Sequence, residues 1–173
     1  MIRMNPAAKH DARLRDVRAF LFDVDGVLTV SGVSFTSQGF ETKTFHVADS
    51  YGLKLAVDSG IRVGFITGAQ SRIIEHRARE LGITDVYQGS LNKLAAYEEF
   101  RALYGLRDEE IAYMGDDILD VPVLKRVGFS CAPGNSHPSV RLAVHYIAAA
   151  SGGAGAVREV VDMLLRANGQ LGT

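Results

Sequence analysis

Three short apolar runs in this chain each stop at an acidic or hydroxyl-bearing turn, and that recurrence narrows the possible folds more than any other feature. Val17-Arg18-Ala19-Phe20-Leu21-Phe22 leads into Asp23-Val24-Asp25-Gly26-Val27-Leu28-Thr29. Ile61-Arg62-Val63-Gly64-Phe65-Ile66 leads into Thr67-Gly68, and Ile111-Ala112-Tyr113-Met114 into Gly115-Asp116-Asp117. Short runs rich in aromatic and branched side chains predict buried strands. Two further strands are expected over 127–130 and 145–147.

Helical patterns lie between them. Ser71 is placed to cap a helix over 72–81, where Ile73, Ile74, Arg77, Ala78 and Leu81 recur at helical spacing. Asn92 is placed to cap 93–104, with Leu94, Tyr97, Phe100 and Leu103 on one face, and 157–167 reads as a closing amphipathic helix. Strands alternating with helices predict an α/β fold, a Rossmann-like, mainly parallel sheet flanked by helices. Ligands of such sheets bind beyond the carboxyl ends of the strands, where Asp23, Thr67 and Asp116 all fall. One segment breaks the rhythm. Residues 30–47 alternate on both sides of Ser37-Gln38-Gly39, which predicts a small β-hairpin flap rising from the loop after Asp25.

With 173 residues the chain suits one domain, drawn over 17–173, with residues 1–16 as a flexible N-terminal extension. The 19 basic and 20 acidic residues nearly cancel, so no nucleic-acid-binding surface and no polybasic membrane anchor is expected. There is no apolar stretch near the ~20 residues that span a bilayer, and no signal-peptide pattern, so the expected location is cytoplasmic. A single cysteine, Cys131, excludes an internal disulfide and a thiolate zinc cluster, and it reads as a small buried hydrophobe.

The chemistry concentrates in the acidic turns. An apolar strand that finishes in Asp23 and Asp25 needs something cationic beside it, because unpaired charge is costly to desolvate; the plainer alternative is a loop whose aspartates cap a turn. Asp116, Asp117 and Asp120 end another strand that a parallel sheet can set alongside. Carboxylates converging without histidine or thiol favour magnesium over zinc. Phosphoryl transfer further needs a nucleophile, a proton donor for the leaving oxygen, and donors for the phosphate oxygens. Thr67 and Lys93 have suitable groups, although alone each reads more simply, as a helix-opening residue and an exposed helix charge. The ordered set points to chemistry.

In that order the motifs Asp23-Val24-Asp25-Gly26-Val27-Leu28-Thr29, Ile66-Thr67-Gly68, Lys93, and Gly115-Asp116-Asp117 with Asp120 resemble those of the haloacid-dehalogenase-like phosphatases, over nearly the whole chain after residue 16. The resemblance implies Asp23 as nucleophile, Asp25 as general acid and base, and Thr67 and Lys93 as phosphate holders. It implies magnesium held by Asp23, the Asp25 backbone carbonyl and Asp116, with Asp117 and Asp120 in support. The gaps between motifs leave no room for a cap domain. A capless site is open to water, so either the substrate is large or a neighbouring subunit closes the site, and a homo-oligomer is expected.

Tyr87-Gln88-Gly89 with Asn92-Lys93, Val127-Gly128-Phe129-Ser130, and the segment 152–159 are similar to the capless 3-deoxy-D-manno-octulosonate (KDO) 8-phosphate phosphatases of lipopolysaccharide precursor synthesis. This implies a small phosphorylated sugar acid as substrate and a tetramer in which hairpin and tail complete neighbouring sites, with 152–159 as a subunit contact. Gly68, Asn92 and Arg77 join Thr67 and Lys93 as expected substrate contacts. Two departures stand out. Ala69 replaces the arginine usual in that subfamily and the glutamate of relatives acting on nine-carbon sialic-type acid 9-phosphates, which keeps those acids as an alternative; Arg72 or Arg77 is then the candidate for the missing cation. Val47-Ala48-Asp49-Ser50-Tyr51-Gly52 replaces the usual arginine-aspartate-glycine wording. A signalling receiver domain would place its acidic pair and lysine in the reverse order, and a catalytically silent scaffold would not need every catalytic position filled. His10, His46, His76, His137 and His145 show no ligand spacing, His137 suits a turn, and Lys125 and Arg126 read as solvated charges.

Overall fold

The computed structural model describes residues 10–171. Six strands form one parallel sheet in the order β5-β4-β1-β6-β7-β8, with β1 Ala19–Phe22, β4 Arg62–Ile66, β5 Asp85–Tyr87, β6 Ile111–Met114, β7 Phe129–Ala132 and β8 Tyr146–Ile147. The expected α/β architecture is what the chain adopts. β1 is buried along its whole length because helices cover both faces. Alternation along β1 splits the core in two. Phe20 and Phe22, stacked with centroids 4.2 Å apart, face α2 (Val47–Asp58), α3 (Arg72–Leu81) and α7 (Ala156–Ala167). Ala19 and Leu21 face α4 (Lys93–Tyr104) and the short α5 (Val121–Leu124) and α6 (Pro138–Arg141).

The predicted caps form: Ser71 Oγ accepts from Ile73 N at 3.3 Å, and Asn92 Oδ1 from Ala95 N at 3.3 Å. Some boundaries move. β7 begins two residues later than expected, after Gly128 has donated to Asp108 O at 2.7 Å. α7 begins at Ala156, one residue early. The core also takes in Leu14, from the short helix α1 (Asp11–Leu14), on the N-terminal side of the boundary drawn at residue 17. The rest of the extension, residues 1–9, lies outside the described residues.

The hairpin is present but slight. β2 (Ser34–Phe35) and β3 (Glu41–Thr42) pair antiparallel through two residue pairs, with a turn at Gly39. Arg126, expected as a solvated charge, instead bridges Glu98 at 2.9 Å and Asp108 at 3.1 Å, tying α4 to the turn before β6. Cys131 is buried, as expected, and His137 caps α6 by accepting from Ser139 N. Among the described residues no helix is long and apolar enough to cross a membrane.

Candidate active site

Parallel pairing sets the site. Phe22 lies opposite Phe65 on one side and Met114 on the other, so β1, β4 and β6 end at one level. The residues that follow gather around a cleft of about 290 Å³, lined by Asp23, Asp25, Thr67, Gly68, Lys93, Asp116 and Asp117 and walled by Ser31, Gly32, Val33, Ala69 and Leu119.

Lys93, an unremarkable helix charge by its local sequence, is buried between two carboxylates. Its Nζ lies 2.7 Å from Asp23 Oδ2 and 2.7 Å from Asp120 Oδ1. Burial works against its charge, but the two aspartates outweigh this and raise its pKa. Asp120 is fully buried and fully employed. Its Oδ1 also accepts from Tyr113 OH at 2.6 Å, and its Oδ2 accepts the backbone N–H groups of Asp116 and Asp117 at 3.0 Å each. With four donors on two oxygens, Asp120 has no lone pair left for a ligand.

Oxygens of Asp23, Asp116 and Asp120 lie within 4.8 Å of one another. Desolvation, then the Asp120 charge, pushes Asp23 up to about 8, with Lys93 pulling the other way. Desolvation and Asp120 likewise push Asp116 up to about 6. Lys93 alone therefore does not neutralise the cluster, and a hard divalent cation is the group that would. Since Asp120 is saturated, Asp23 and Asp116 are the two of these three side chains left to hold such an ion. Thr67 is buried, and its Oγ1 accepts from Ala69 N at 3.1 Å.

Two glycines are set by close approach. Gly26 has φ +88°, and a Cβ there would stand 2.0 Å from Asp116 Oδ2. A Cβ on Gly152 would stand 1.8 Å from Gly26 O, and Gly153 N donates to Val27 O at 2.9 Å. Within the chain, the start of segment 152–159 packs against the back of the Asp23–Thr29 loop, while Ala154 stays exposed. Asp49 fastens it: buried on α2, it accepts from Gly155 N at 3.0 Å and Arg158 N at 2.7 Å, capping α7 from a distant helix.

Other expected contacts lie elsewhere. Asn92 is absent from the cleft lining, and its Oδ1 caps α4. Arg77 is outside the cleft lining; its guanidinium bonds Ser50 Oγ and Glu80 and lies over the Phe45 ring. Lys43 went unnoticed in the sequence, because a lysine in an alternating hairpin looks like solvent-facing punctuation. Its Nζ lies 2.5 Å from Asp25 Oδ1. Neither Lys43 nor Asp49 carries a local signal that distinguishes it from a surface charge.

The fold and this cluster define an α/β enzyme built around a carboxylate–lysine centre. A family model for haloacid dehalogenase-like hydrolases matches residues 69–160, and the chain belongs to that family. It is 42% identical over 159 residues to the KDO 8-phosphate phosphatase of Yersinia pestis, covering 92% of this chain and 85% of that one. Identity to the protein of the same name from Escherichia coli K12 is 41% over 160 residues, with coverage of 92% and 85%. The Y. pestis crystal structure matches with a TM-score of 0.91 over 93% of this chain and 87% of that one. The Moraxella catarrhalis enzyme, crystallised with magnesium, phosphate and KDO, matches at 35% identity and a TM-score of 0.91, covering 93% and 92%.

Proposed function

We propose that this chain is a phosphatase that hydrolyses KDO 8-phosphate through a phosphoryl-aspartate on Asp23, with magnesium as cofactor. The observation that carries the reading is the position of Asp23 at the end of β1, held by Lys93 at 2.7 Å and sharing a cleft with Thr67, Asp25 and Asp116.

In the first half-reaction an Asp23 oxygen forms a bond to phosphorus as the bond from phosphorus to the sugar oxygen breaks. Asp25 gives its proton to the departing alkoxide. In the second half, Asp25 takes a proton from a water that attacks the phosphoryl-aspartate, which releases phosphate and restores Asp23. Thr67 and Lys93 hold phosphate oxygens, and Asp120 keeps Lys93 in place. Magnesium, held by Asp23, Asp116 and the Asp25 carbonyl, supplies charge neutralisation for the phosphate when bound.

The substrate assignment draws on the named relatives and on the cleft's size, which suits a small sugar acid. The cleft is unroofed within one chain, and the hairpin exposes Val33, Phe35 and Phe40. These features support a homo-oligomer, by family resemblance a tetramer; the reading places the enzyme in the cytoplasm by that same resemblance. Nine-carbon sialic-type acid 9-phosphates are the second reading, kept because Ala69 on the cleft wall carries neither the arginine of the octulosonate enzymes nor the glutamate of the nine-carbon ones.

Phosphate release from a panel of sugar-acid phosphates, with magnesium and with chelator, tests the assignment. KDO 8-phosphate is expected to be preferred, and Asp23→Asn to abolish turnover while the protein stays folded. Turnover retained by Asp23→Asn would remove the nucleophile. Preference for a nine-carbon substrate would replace the sugar.

A further inference from the structure

Lys43 belongs to none of the motifs, yet it is one of the most enclosed charges beside the cleft. Its side chain is 4% exposed, with Nζ 2.5 Å from Asp25 Oδ1 and 3.0 Å from Glu41 Oε1. Glu41 Oε2 in turn accepts from Ser71 Oγ at 2.8 Å. The second arm of the hairpin therefore runs as a strap from the first acidic loop to the cap of α3. Only two residue pairs join β2 to β3, and both strands are largely open to solvent, so these polar ties hold the arm where it lies. The two carboxylate bonds offset the cost of enclosing the lysine's charge. An ammonium is a costly way merely to hold a hairpin down, since well-packed apolar side chains do that as well or better.

We infer that Lys43 is a positioning residue for proton transfer, its ammonium fixing Asp25 by Oδ1 so that Oδ2 serves the departing oxygen. Thr29 Oγ1 approaches the same Oδ1 at 3.4 Å, so both restraints fall on one oxygen. The inference rests on the reading of Asp25 as general acid and base. When Asp25 gives its proton to the alkoxide it becomes a carboxylate, and the neighbouring ammonium is the countercharge that this product requires. When water attacks, the proton returns to Asp25. Lys43 exchanges no proton in either step.

The test uses magnesium-loaded full-length protein and aryl phosphates of one size, whose phenols span a range of acidity. kcat/KM covers only steps up to departure of the phenol, and binding differences largely cancel across the series. Removing a well-placed acid penalises poor leaving groups most, so Lys43→Met is expected to lower kcat/KM for the least acidic phenol about tenfold more than for p-nitrophenol, within the range general acids contribute. Lys43→Arg should keep the wild-type dependence, and in an Asp25→Asn background Lys43→Met should add no further steepening. An equal loss across the series, or none, overturns the inference. Should the Met variant melt at the assay temperature, Lys43→Gln serves the same measurement. If Asp25→Asn itself leaves the dependence unchanged, the acid–base reading of Asp25 fails. If Asp25→Asn steepens it and Lys43→Met does not, only the role of Lys43 fails.

Discussion

Lys93 Nζ and Asp120 Oδ1 lie 2.7 Å apart at the buried floor of the cleft, and Lys93 spans the same distance to Asp23. The ammonium is thus shared between a carboxylate exposed to chemistry and one withdrawn into the framework. Replacing Asp120 by Ala would leave Lys93 with one partner and orphan the Tyr113 hydroxyl and two backbone N–H groups. A loss of about 3–5 kcal/mol is expected from breaking such a buried pair, readable by urea denaturation, together with a fall in phosphatase activity.

The raised carboxyl pKa values set a pH dependence for the metal-free protein. Asp23 at about 8 and Asp116 at about 6 hold protons in the folded state that the unfolded chain has lost above about 4. Their contribution to stability is complete below the unfolded value and fades as pH rises through 6 towards 8. In chelator, the stability advantage of wild type over Asp23→Asn is expected to shrink from pH 5 to pH 8. Added magnesium, which binds carboxylates, should raise the melting temperature more at pH 8 than at pH 5. Thermal melts at the two pH values, with and without the ion, check both signs.

Gly26→Ala should be severe for a local reason. The φ of +88° costs an L-residue about 1–2 kcal/mol, and the new methyl would meet Asp116 Oδ2 at 2.0 Å. Magnesium affinity, measured by calorimetry, is expected to fall more than tenfold, and activity with it.

Asp49→Ala removes a cap rather than a catalytic group. Loss of its bonds to Gly155 N and Arg158 N should cost about 1 kcal/mol, a drop of roughly 2–4 °C in melting temperature for a domain of this size. Magnesium affinity should change little, which separates this variant from Gly26→Ala.

Much of the framework was legible because it obeys short-range rules. Ser71 and Asn92 cap the helices they precede, and the runs ending at Phe22, Ile66 and Met114 are strands because their residues have nowhere else to go in a two-faced core. The clustering of Asp23, Thr67 and Asp116 followed from strand ends on one parallel sheet. Long-range pairing was not legible. Arg126 looked solvated because Glu98 and Asp108 are remote in sequence, Lys43 because Asp25 lies a hairpin away, and Asp49 because the helix it caps is near the other end of the chain. Nothing in the run of glycines after Ser151 announced that Gly152 and Gly153 lie against Gly26 and Thr29 of the same chain. A sequence shows that a residue is small, not what presses on it.

The sheet order also fixes a sequence of assembly. β1 emerges first in synthesis, but it sits between β4 and β6, so it must wait for both before its edges are satisfied, and such distant pairings are the slow part of folding. Lys93 is made after Asp23 and before Asp116 and Asp120. The lysine that stitches the two acidic loops together is therefore already on the growing chain when the second set of repelling carboxylates arrives.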